Sequence, residues 1–161
     1  MRFTCGSITT VRITAPVLSN RGIVQVGVPI PLNSGSVTVT EVAFDCSGTA
    51  TRRPATNHKF VTIRVAFNDS GPDPISITPN AWRLYGDETN GAISIETGNP
   101  DALLEQVVKP GVRASGVVTF EVAEDAYQLF AVGKLPDVTA VFNVFLPIYP
   151  NGFSVCADSG G

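Results

Sequence analysis

His58 is the sole histidine of this 161-residue chain, so any general base working through imidazole has to be this residue. It opens an alternating stretch beside Lys59, straight after a polar loop, and no Gly-x-Ser-x-Gly elbow supplies a nucleophile for it. That context describes a surface imidazole at a strand end. Cys5, Cys46 and Cys156 lack the close spacing of a zinc or redox motif, and with one histidine they give no convincing metal-ligand set. In an oxidising compartment they allow one disulfide and one leftover thiol. Cys46 with Cys156 is the expected pair, because each follows a predicted strand near a sheet end; Cys5 with either partner stays open.

Carboxylates come in three clusters: Asp69 with Asp73, Asp87 with Glu88, and Glu124 with Asp125. Calcium could sit where sandwich-end loops bring such oxygens together. No EF-hand spacing occurs, however, and turn formation accounts for Asp69, Asp73 and Asp87. Large aromatic side chains favour burial, which places Trp82 in the core. Phe145 opposes Phe142, Val144 and Leu146 in parity and emerges on the outer face beside Val141, an expected partner surface. Catalytic, cofactor-binding and metal-binding residues are expected to be absent: the chain reads as a non-enzyme.

The elements that must hold these residues are strands. Val61, Ile63, Val65 and Phe67 point one way between His58 and Asn68, with Thr62, Arg64 and Ala66 on the other face. Pro110 and Gly111 form a turn leading into a second alternating run, with Val118, Phe120 and Val122 on one face. From Val37 to Phe44 the parity changes between Val39 and Val42, which predicts a β-bulge near Thr40–Glu41. Prolines at 29 and 31 suit an edge strand. Asn99 caps, and Pro100 takes the first position of, a predicted helix of at most two turns reaching Val107.

Composition bounds the rest. A hydrophobic fraction of 43% with only 16% charged residues marks a folded globular chain, long enough for one domain. A net charge of −3, with Arg52–Arg53 the only basic doublet, argues against nucleic acid as a partner. No apolar run reaches the ~18–20 residues of a membrane-spanning helix. Met1 to Thr4 leave no room for a secretory signal, so the chain either stays where it is made or is a mature form; the Thr, Ser, Gly and Val content favours export.

From about Val24 to Phe142 the chain resembles a bacterial extracellular domain family of unknown function, related to the mycobacterial secreted immunoprotective antigen. Four blocks carry the likeness: Val26-Gly27-Val28-Pro29 with Ser36 to Thr40; Lys59 to Asn68; Trp82-Arg83-Leu84-Tyr85 followed by Gly91; and Pro110-Gly111 with Gly116 to Val122. The resemblance implies an immunoglobulin-like fold in exported proteins and lipoproteins, with no catalytic residues to carry over. Arg2-Phe3-Thr4 departs from the small and aliphatic residues expected before a lipidated Cys5.

The expected architecture is an all-β, immunoglobulin-like, two-sheet antiparallel β-sandwich of about seven to nine strands. Residues 1–21 form an N-terminal extension, 22–147 the sandwich and 148–161 a tail. The expected function is an exported or cell-envelope-associated, non-catalytic binding module without a cofactor. Its partner is a protein, with homo-oligomers possible. A structural decoration or assembly protein of a virion or envelope complex is the alternative.

Overall fold

β-branched and aromatic residues at every second position favour extended backbone, and glycine, proline and asparagine between these runs favour turns. The computed structural model of the chain, described here for residues 23–86, 89–126, 128–136 and 138–144, follows that logic. Eleven strands appear among these residues: β1 Ile23–Gln25, β2 Ile30–Leu32, β3 Gly35–Asp45, β4 His58–Asp69, β5 Ile75–Ile77, β6 Trp82–Gly86, β7 Thr89–Ile93, β8 Gln106–Val108, β9 Arg113–Ala123, β10 Phe130–Lys134 and β11 Thr139–Asn143. One short 3₁₀ turn, Pro79–Ala81, precedes β6.

The strands form a five-stranded sheet in the order β1-β11-β10-β6-β7, a four-stranded sheet β2-β3-β4-β9, and a small ladder β5-β8. All pairings are antiparallel except β1 with β11. This is an all-β, immunoglobulin-like sandwich. Val61, Ile63, Val65 and Phe67 of β4 are buried in one core with Trp82, Leu84 and Phe142 of the facing sheet. The Trp82 and Phe142 rings lie 6.3 Å apart between centroids and tilted by 36°. Gly133 makes room for this indole, since a Cβ there would stand 2.8 Å from the ring.

The register of β3 against β4 shifts between Val39 and Glu41, where the change of parity predicted a bulge. The helix expected over Asn99–Val107 does not form. Asn99 Oδ1 instead accepts from the Asp101 amide at 2.8 Å, which starts a turn rather than a helix. The chain then lies along the outer edge of β9: Leu103 N–H donates to Val117 O, and Val117 N–H donates to Asp101 O, each at 2.9 Å. Pairing with an open sheet edge outweighs a short local propensity. The expected extension 1–21 and tail 148–161 lie outside the described residues.

Two polar groups are locked into opposite ends of the sandwich. Near the β9–β10 turn, Lys59 is 1% exposed and donates to Glu124 O at 2.8 Å and Ala126 O at 2.7 Å. Its ammonium also lies 5.6 Å from the centre of the Phe44 ring. At the other end, Asp69 is fully buried, and its Oδ1 accepts from the Ser34 hydroxyl at 3.0 Å and the Gly71 amide at 3.2 Å. Oδ2 is buried with no hydrogen-bond partner. Ser34 Oγ in turn accepts from the Asp73 amide at 3.0 Å, so one serine joins the β2–β3 turn to the loop after β4.

Removing the Asp69 carboxylate deletes two hydrogen bonds but leaves the Ser34 hydroxyl its Asp73 O acceptor and the Gly71 amide its Ser34 O acceptor, so Asp69→Ala is expected to cost about 1–2 kcal/mol. Asp69→Asn keeps the Oδ1 acceptor and should cost below ~1 kcal/mol. Urea unfolding of both variants checks this; an equal loss for Asn and Ala would assign the role to the charge instead of the hydrogen bonds.

Candidate functional site

The residues singled out for chemistry do not converge among the described residues. His58 is exposed, and its Nδ1 lies 2.9 Å from Thr56 O, a local contact within the turn that enters β4. Asp69 and Asp73 sit at one end of the sandwich around Ser34, while the Glu124–Asp125 turn sits at the other, above Lys59. Asp87 and Glu88 lie outside the described residues. No group of three or more His, Cys, Asp or Glu side chains comes together among those described.

Trp82 is fully buried between the sheets. Val141 is also fully buried, on the outer face of the five-stranded sheet, where it packs with Phe130 and Val132 against half-buried Tyr85. It therefore presents no open surface of its own. Its expected neighbour on that surface, Phe145, lies outside the described residues. Cys46 follows β3 directly, and Cys5 and Cys156 lie outside the described residues.

Open surface suited to recognition gathers around β5, β8 and the turn after β10. One cleft of about 430 Å³ is lined by Ser76, Ala81, Val107, Lys134, Leu135 and Pro136, among others. A second, of about 460 Å³, runs from the β2–β3 turn past Asp73 and Pro74 and shares Ser76, Leu135 and Pro136 with the first. The shared residues set the two clefts side by side in one grooved area. The elements explain its walls. Ile75, Ile77 and Val108 turn into the core, which aims Ser76 and Val107 outward. The antiparallel β10–β11 connection projects Leu135 and Pro136 as the facing wall.

Val107 is 58% exposed and Leu104, just before β8, 67% exposed. These are two of six large apolar side chains so exposed among the described residues, and they sit on one connection. A third cleft, about 500 Å³, lies on the open side of the sandwich between the strap along β9 and the segment after β7. Asn80, Glu96, Asn99 and Glu105 give it a polar rim.

Sequence reasoning missed the groove because no pattern in the sequence marks it. Its walls come from segments some 30 to 100 residues apart, from Leu32 to Pro136. Ile75, Ile77 and Val108 do carry a local signal, as alternating residues in short runs, but three residues are too few for pairing to be read from them.

A two-sheet immunoglobulin-like sandwich with an apolar groove at one end is a non-specific scaffold, on which function resides in the site and not in the fold. The chain belongs to the family described as Domain of unknown function (DUF4352), whose model matches residues 24–133. Among solved structures it is similar to the yjhA protein of Bacillus subtilis, with 14% identity, a TM-score of 0.62, and coverage of 75% of this chain and 99% of that one. A conserved hypothetical protein of Bacillus anthracis gives 14% identity, a TM-score of 0.53, and coverage of 77% and 95%. The ycdA protein of Bacillus subtilis, described as a candidate lipoprotein, gives 14% identity and a TM-score of 0.59 over 73% of this chain; the match spans 38% of ycdA. At this identity the likeness concerns the fold. No curated protein matches the sequence.

Proposed function

We propose that the protein is an exported or cell-envelope-associated, non-catalytic module that binds another protein through the groove beside β5 and β8. The observation that carries this reading is the groove itself: open, and lined at β8 by Val107, an apolar side chain left 58% exposed. The description of ycdA as a candidate lipoprotein supports the envelope setting. The described residues contain no helix long and apolar enough to cross a membrane. The Cys46–Cys156 disulfide and the division into extension, sandwich and tail belong to the same proposal.

The test is retention of an envelope polypeptide by the immobilised full chain, compared with Val107→Glu. Val107 is exposed, so the charge leaves folding within ~0.5 kcal/mol of wild type. Retention should fall at least ~tenfold, the scale of one lost apolar contact plus a desolvated charge. Retention unaffected by the variant, or a hydrolytic turnover that His58→Ala abolishes, would overturn the reading.

A further inference from the structure

We infer that the groove takes its partner by strand addition: an extended segment of another protein pairs its backbone with the free edge of β5. The inference rests on the binding-module reading and specifies the ligand class. β5 pairs with β8 through Ile75↔Val108, Ser76↔Val107 and Ile77↔Gln106. On its other side, no described backbone group bonds to residues 75–77. The 460 Å³ cleft lines this strand from Asp73 to Ser76 without any β8 residue in its walls, which places it on the unpaired side. The few N–H and C=O groups that this three-residue strand turns away from β8 are satisfied best by another extended backbone, while the flanking walls read its alternate side chains.

Two other edges, those of the four-stranded sheet, are less suited. β2 carries Pro31, which donates no hydrogen bond, and the outer edge of β9 is occupied at Val117 and Thr119 by the segment from Ile95 to Leu103. The walls along β5 define the occupant further. Leu135, Pro136 and Pro74 favour apolar residues at every second position. Asp73, exposed at one end and without an ion pair among the described residues, favours a lysine or arginine there. A binder of this kind is a free chain terminus or an unstructured linker of the partner, not a folded face.

The test is selection of random twelve-residue peptides displayed on phage against the full chain, followed by synthesis of the enriched sequences. Winners should alternate apolar residues, lack proline and carry a basic residue. N-methylation of alternate backbone nitrogens should weaken binding at least ~tenfold in one register and leave the other register unchanged, because only one set of amides faces β5. Pro136→Asp, at an exposed position, should weaken the same peptides, and Asp73→Lys should switch the basic preference to an acidic one.

Peptides indifferent to N-methylation in both registers, indifference to Pro136→Asp, or no enrichment at all would each overturn strand addition. A dimer seen by sedimentation and dissolved by the peptides would assign the edge to a second copy instead. If the envelope polypeptide is still retained through Val107 while no peptide behaves this way, strand addition falls and the binding reading stands. If retention fails as well, both fall.

Discussion

Lys59→Ala is expected to destabilise the protein by about 3–5 kcal/mol, the larger of the effects on stability argued from single side chains. Two backbone carbonyls, Glu124 O and Ala126 O, would lose a charged donor, each such bond contributing ~1.5–3 kcal/mol. Truncation would also open a cavity, because Lys59 is among the largest fully buried side chains of the core strand β4. Lys59→Met separates the two contributions. It refills much of the stem's volume but leaves both carbonyls unpaired, so about half of the loss should remain. Urea unfolding monitored by circular dichroism measures both variants. A Met variant as stable as wild type would show that Lys59 acts only by packing.

The consequence extends beyond stability. The carbonyls held by Lys59 belong to the turn that carries the chain from the four-stranded sheet to β10, and β10 leads directly to Leu135 and Pro136. Loosening that turn bears on the placement of one wall of the groove. Hydrogen exchange in β10 should therefore rise in Lys59→Ala before exchange in β3 and β4, which are joined over ten register pairs.

What could be read from the sequence were features repeated along a strand. Four valine, isoleucine or phenylalanine side chains of one parity placed β4, and a change of parity placed the bulge beside Glu41. Lys59 shows where this reasoning stops. It shares the inward parity of Val61 and Ile63, so the pattern itself marked it as buried, yet a lysine is read as a surface residue by its type. The carbonyls that make its burial tolerable lie 65 and 67 residues away and cannot be seen from the sequence. Ser34 and Asp69 are separated in the same way, by 35 residues. The misread helix after Asn99 failed for a related reason: its local cap was real, but β9 offered the same backbone a long-range ladder. The groove belongs to this class too, being made of nothing but long-range neighbours.

Loss of the proposed Cys46–Cys156 bond is the second large effect expected. Cys46 follows β3 at the end of the sandwich where Lys59 and the β9–β10 turn sit, and Val144 reaches the same end, its amide bonded to Leu129 O at 2.9 Å. Cys156 is twelve residues further along the chain, a span of up to about 40 Å when extended. The bond would close a loop of about 110 residues, for which chain entropy predicts roughly 4–5 kcal/mol, with 2–5 usual for native bonds. For a chain of this size that is a fall in melting temperature of about 10 °C.

Cys46→Ser and Cys156→Ser should each produce this fall, the double variant should add nothing to either, and reductant should lower the wild-type value to theirs. Cys5→Ser should leave the melt unchanged. Peptide mapping under non-reducing conditions reads the pairing directly. A linked peptide containing Cys5 would reassign the pairing, and a melt insensitive to reductant would remove it, and with it one of the supports for placing the protein in an oxidising compartment.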